Sequence, residues 1–421
     1  LPGTVFISAN YNLDCMLWRS NDNGETWNPT TFNISLPGVG AEGISGIRCH
    51  PTDPDTLFVF VSDIYNSSFQ YSTKISTDGG MTWSDYGPPE IVKLNDIYFV
   101  DGKPNEVLLV GGSREHIVKS YDGGQTWEIK LSVLVMNPFL DSFILSPWDP
   151  NVLYCATKGV FESHDNGETW NRTCPLLKSN YLDHLGYIFT DDPMNMVFLE
   201  EESGAFWSNN GGSTWNPGFG YAGNKTRSGT LVTQDVSTHE IYTYAQKTVG
   251  GEIILASSDM GKTWRTLPFL PNSQPMYATS SNCVTHKLYA IYRDAGIDDS
   301  SHIMVSLDAG ASWQAMDLPE DNYYVEVQDS PYDPDLVLVI GVCPEGDDLA
   351  EYFFRSEDGG VTFQKIGPEN GMGNAPTYYP NGSIKSSGAF YFDPVDSNKI
   401  YGGYTDSYYS TDSGRTWNDC S

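Results

Sequence analysis

Three aspartates stand where they can serve as acid and base. Asp96, Asp141 and Asp183 each lie at or near the start of a segment that reads as an inner β-strand, in consecutive units of a repeating chain. Glycosidic hydrolysis needs two carboxyl groups flanking the bond, one protonated to release the leaving oxygen and one ionised to activate water. Carboxylates from neighbouring units that converge on one opening meet that need. The matching positions of other units hold Glu42, His184 beside Asp183, Arg227, Tyr277, the pair Tyr323 and Tyr324, and Lys385. These offer charge, hydrogen bonds and ring faces to a ligand at a channel mouth. An acidic chain also places solvated Asp wherever strands begin, and that plain reading competes with the catalytic one.

A second group of polar residues falls in the loops between second and third strands. Glu200, Glu201 and Glu202 form one run, Asp294, Asp298 and Asp299 another, and Glu345, Asp347, Asp348 and Glu351 a third, while Arg114, Glu115 and His116 stand together in a fourth loop. Concentrated carboxylates can hold a hard cation such as calcium, with Asp298, Asp299, Asp347 and Asp348 as the candidate ligands, or steer a cationic partner. No EF-hand spacing is present, and a solvated rim is the default. The longest insertion between units, residues 367–387, carries Tyr378 and Tyr379 and has the composition of a ligand-facing flap. Gly38, Gly40 and Gly43 spell G-x-G-x-x-G, but in a segment joining two all-β units, where the fingerprint has no meaning.

The elements that must position these groups are written in a repeat. The octet S-x-D-x-G-x-T-W occurs nine times, beginning at Ser20, Ser76, Ser120, Ser163, Ser208, Ser257, Ser306, Ser356 and Ser410. Gly is kept in every copy; Asn210 replaces Asp in the fifth, and Phe363 replaces Trp in the eighth. The octet describes a hairpin turn. Its Asp accepts backbone N–H groups, its Gly supplies the positive φ that closes the turn, and its aromatic residue is expected to anchor against the next sheet. A looser repeat precedes each box, as in TDPDTLFVF, WDPNVLYCA, DDPMNMVFL and YDPDLVLVI. Each unit therefore reads as four short antiparallel strands joined by a D-P turn, a loop and the box, which is the blade of a β-propeller.

The octet resembles the Asp-box (BNR-type) repeat, and through it residues 20–417 resemble the propeller superfamily that includes sialidases, xyloglucan-cleaving glycosidases and sortilin-like receptors. The resemblance implies an all-β fold, a single propeller of nine four-stranded antiparallel blades over residues 1–421 with one box per blade. It says little about function, because the same blade serves enzymes and receptors. The F-R-I-P signature of sialidases is missing. The leading expectation is a scaffold that binds a glycan or a protein or peptide ligand at the channel mouth, and the alternative is a polysaccharide-cleaving glycoside hydrolase. The sortilin-like reading departs in one respect, since no cysteine-rich module follows the last box.

Composition narrows the partners. Lys+Arg total 23 against Asp+Glu 54, a formal net charge of −31, which disfavours nucleic acid and anionic lipid. No apolar run is long enough to cross a bilayer, and the start at Leu1 reads as a processed, exported chain. The seven cysteines form no C-x-x-C pair, which argues against a zinc site. Sequons at Asn33, Asn66, Asn171, Asn224 and Asn381 suit an extracellular or secretory-lumen protein. The first blade begins at its second strand, so ring closure is expected to need another fastener. Cys15 in blade one and Cys420 beyond the last box are placed to supply it as a disulfide.

Overall fold

Runs such as residues 57–61, 107–110 and 336–340 are apolar without alternation, as strands buried on both faces require. In the computed structural model they lie in, or lead directly into, the second strands of three of the sheets, and all three runs are buried. The structure describes residues 4–11, 14–22, 24, 26–34, 42–63, 71–88, 94–111, 116–132, 144–157, 159–175, 186–189, 192–200, 204–219, 224–226, 232–247, 252–268, 273–294, 301–319, 323–345, 348–366, 389–403 and 408–419. At strand ends beside the remaining segments it describes the backbone alone.

Nine antiparallel sheets follow one another along the chain as the blades of a propeller. Seven have four strands in sequence order from channel to rim. Blade one shows three strands, Val5–Tyr11, Asp14–Ser20 and Asn28–Ile34. In blade six two short segments, Asn224–Thr226 and Val232–Gln234, share the place beside Ile241–Lys247. The rim strands of blades two, six and seven are two residues long and exposed, which leaves little free edge for unwanted pairing.

The core is a set of layers between blades. Phe58 and Phe60 of blade two pack with Ile97, Val107 and Leu109 of blade three, and Leu338 and Phe353 of blade eight pack with Phe390 and Ile400 of blade nine. The box sets this contact. In blade three the Ser120 hydroxyl donates to Asp122 Oδ1 at 2.8 Å and accepts the Gly124 amide at 2.7 Å, while both Asp122 oxygens accept from Thr126. Five Asp carboxyls held in this way, Asp22, Asp78, Asp122, Asp308 and Asp358, lie well below the usual carboxylate range because Thr or Ser hydroxyls and amides donate to them.

Gly124 has φ +96°, and a Cβ there would come within 2.4 Å of the Tyr86 hydroxyl in the preceding blade. Box glycines press on the preceding blade all round the ring: Gly80 on Thr30, Gly261 on Val197, Gly414 on Leu338. Gly24 of blade one meets Tyr401 of blade nine, and Trp27 packs on Tyr409 with ring centroids 6.3 Å apart. These contacts pack blade one against blade nine. The proposed Cys15–Cys420 bridge lies outside the described residues. The box aromatics also face backwards: Trp417 of blade nine sits edge-on to Phe353 of blade eight, 4.5 Å between centroids. The expectation of anchoring against the next sheet is thus corrected, because the turn that carries the ring folds back over the preceding interface.

Candidate functional site

Four of the strands nearest the channel are irregular at matching positions. Those of blades two (Glu42–Cys49), three (Leu94–Phe99), seven (Ser273–Ser280) and eight (Tyr323–Asp329) each contain a bulge. The residues just past the bulge are Gly46, Asp96, Tyr277 and Glu326, paired with Phe60, Val110, Ile291 and Ile340. Each partner is the fourth residue of its second strand, so the four positions lie at one level of the ring. A bulge adds a residue and re-aims the next side chain, and such kinks concentrate beside functional sites.

Two couples occupy this belt, each reaching from one blade to the next. Arg48 of blade two donates through Nε to Asp96 Oδ1 of blade three at 3.1 Å. The same oxygen accepts the Ile97 amide at 2.9 Å. The Arg48 side chain is 50% exposed and that of Asp96 9%, so the cation opens to solvent and the carboxylate is enclosed. In the second couple the Tyr277 hydroxyl of blade seven donates to Glu326 Oε1 of blade eight at 2.9 Å. Glu326 is 6% exposed. Burial pushes its carboxyl up to about 8, against a smaller opposing pull from Tyr277 and the Val327 amide, so it is neutral at pH 7. Burial and the neighbouring Glu326 raise the Tyr277 hydroxyl well above its ordinary value.

The other residues singled out from sequence fall in several places. Asp96 and Tyr277 lie inside their strands rather than at the mouth. Tyr323 and Tyr324 are buried, and the Tyr324 hydroxyl donates to the Pro319 carbonyl at 2.7 Å, which makes Tyr324 a core residue. Glu351, read as a rim charge, is fully buried in the third strand of blade eight. His116 opens the third strand of blade three and is half-buried. Glu42 begins the inner strand of blade two and Asp348 the third strand of blade eight, with only their backbones described. Asn171 is exposed on the rim strand of blade four, and the backbones of Asn33 and Asn224 lie in strands. Asn66, Arg114, Asp141, Asp183, His184, Arg227, Asp298, Asp299, Asp347, Tyr378, Tyr379, Asn381 and Lys385 lie outside the described residues. Among the described residues no cluster of three metal-ligating side chains forms.

Arg48 and Glu326 are not singled out by sequence reasoning, yet a signal exists. Gly46, Asp96 and Glu326 each stand seven residues before the residue that precedes the turn proline, namely Asp53, Lys103 and Asp333. Aligning blades on that proline puts the two carboxyl residues in one column.

The family model described as the BNR/Asp-box repeat matches residues 74–85, the second box and its flanks. Nine copies of that box stand on nine blades. The chain is an Asp-box β-propeller. This propeller is 24% identical over 400 residues to the xyloglucanase Xgh74A of Acetivibrio thermocellus, covering 87% of the chain and 38% of that relative. It is 22% identical over 461 aligned positions to a xyloglucanase of Paenibacillus sp, covering all of the chain and again 38% of the relative. The propeller thus spans less than half the length of these relatives. A solved GH74 xyloglucanase from Xanthomonas campestris overlays with a TM-score of 0.43 at 12% identity, covering 89% of this chain and 79% of that one. YCF48 bound to D1 peptide gives 0.41 at 15%, covering 75% and 91%.

Proposed function

We propose that this Asp-box propeller is an exported protein that binds a neutral polysaccharide in its channel and hydrolyses it. The Arg48–Asp96 couple carries the reading. It holds an enclosed carboxylate of blade three's innermost strand against a half-exposed guanidinium from blade two. An ionised carboxylate can take a proton from an attacking water, the base half of glycoside hydrolysis. Asp141 and Asp183, from the next two blades, are further candidate carboxylates for the same opening. The net charge of −31 favours an uncharged glycan over a polyanion. Two relatives that bear the name xyloglucanase support a glycan as the ligand.

The test is reducing-end release from xyloglucan and a panel of other neutral β-glucans. The wild type is expected to release ends, and D96N to lose at least about a hundredfold of that rate while remaining folded. Failure to cleave any glycan, or full activity in D96N, contradicts the proposal. Glycan or peptide binding without cleavage would instead identify a binding scaffold.

A further inference from the structure

Blade one is open on its channel side. Among the described residues Val5–Tyr11 pairs with Asp14–Ser20 alone, and its other edge meets no strand. Its packing is that of a second strand. Phe6 shares a layer with Ile44, Ile47 and Val59 of blade two, just as Phe58 in the second strand of blade two shares one with Ile97 and Val107 of blade three. In blade two the turn that joins the inner strand to the second runs from His50 to Thr56. The four residues Leu1–Thr4 ahead of Val5 are too few to make such a turn and a strand beyond it.

Blade nine, across the seam, is uncovered to match. Its second strand, Ile400–Gly403, is buried only at Ile400, whereas Val107–Gly111 of blade three is buried throughout. Phe390 in its inner strand packs on blade eight, so Tyr391, the next residue, faces the other way, toward blade one. Tyr391 stands two residues before Asp393, whose amide closes the turn; Arg48 and Tyr98 hold the same place before His50 and Val100. Those two side chains reach the following blade, at Asp96 and at the Pro150 carbonyl. Tyr391 is 69% exposed, and Val395 in the adjoining turn 93%. In blade eight the residue in the place of Val395 is Tyr332, whose hydroxyl donates to the Asp393 carbonyl of blade nine.

We propose that an extended peptide from another polypeptide completes blade one, pairing antiparallel with Val5–Tyr11 as its innermost strand. An edge of alternating N–H and C=O groups is matched by polypeptide main chain, which a glycan lacks. Tyr391 and Val395 select apolar side chains at every second position of the peptide, and the net charge of −31 selects against an acidic one. The inference is independent of the hydrolase reading, because the couples at blades two and three and at blades seven and eight take no part in it.

The probe is a capped peptide of alternating valine and threonine with a lysine at each end, about ten residues long, titrated into the intact chain. Hydrogen exchange should show the amides of residues 5–11 exchanging faster than those of residues 107–111 in the free chain, and slowing at least about tenfold when the peptide saturates. A control peptide with two central prolines, which cannot donate to the ladder, should bind at least about tenfold more weakly. Tyr391→Asp should weaken the valine–threonine peptide by a similar factor with thermal unfolding unchanged, since Tyr391 is exposed. No binding, protection confined to other strands, or equal binding by Y391D or by the proline control would overturn the proposal. Amides of residues 5–11 that already exchange as slowly as those of residues 107–111 in the free chain would overturn it too: the place is then filled by the chain itself or, if sedimentation shows a dimer, by a second copy.

Discussion

The arc of the channel at blades two and three and the arc at blades seven and eight use one backbone device for opposite ends. Each kinks its innermost strand at the same height, and each sends a side chain across the blade interface to a buried carboxyl group. At blade three the partner is a half-exposed guanidinium, so the carboxylate is part of an ion pair. At blade eight it is a phenol, and enclosure keeps the proton on. The fold supplies the position and the preceding blade supplies the partner, a cation in one arc and a neutral hydroxyl in the other. Repetition makes that economical, since a substitution on one blade tunes a group on the next without altering the box or the interblade core.

The largest way to break the comparison is E326Q. A Glu whose pKa is near 4.5 when unfolded and about 8 when folded binds more protons in the native state between those values. Its stabilising contribution is complete below the unfolded value and is lost as pH rises to the folded one. Over that window the wild type should lose about 4 to 5 kcal/mol relative to E326Q. Urea unfolding of both proteins from pH 4.5 to 9 reads the difference directly, and parallel curves would show that Glu326 titrates normally.

R48M should act in the other arc and more weakly. It leaves Asp96 enclosed without its cation, and since Arg48 itself is half exposed the cost should lie near about 1 to 3 kcal/mol. Urea unfolding at low and high salt reads the difference: the gap between wild type and R48M should narrow as salt screens the half-exposed pair, and a gap that salt leaves unchanged would indicate packing by the Arg48 stem instead. Y277F is the smallest change, about 1 kcal/mol for a lost hydrogen bond. Because the Tyr277 hydroxyl opposes the rise of the Glu326 value, its removal should move the Glu326 titration further up. A downward move would mean that the phenol does not donate to this carboxyl.

The propeller was legible in the sequence because a turn repeated nine times needs Ser and Gly in every copy and Asp and Trp in all but one each, with Asn210 and Phe363 as close substitutes. The site was legible only in part, for the converse reason: a functional group occupies a single blade and carries no period. Asp96 stood out as a carboxylate near a strand start. Glu326 did not, because YYVEVQD reads as an ordinary alternating strand until the bulge is known. Tyr324 misled in the same way, since its strand start is also a packing position between Ser301 and Pro319. Glu351 lies in a run of acidic residues that reads as a loop, and the third strand of blade eight extends through that loop and buries it.

The most direct test of the account is the titration of Glu326 itself in the folded wild type. Carboxyl carbon NMR with side-chain labelling of Glu, assigned by the signal missing in E326Q, follows that one group. The account predicts a carboxyl that keeps its proton through neutral pH and releases it near about pH 8. A Glu326 signal that titrates in the ordinary range near about 4.3 would contradict it.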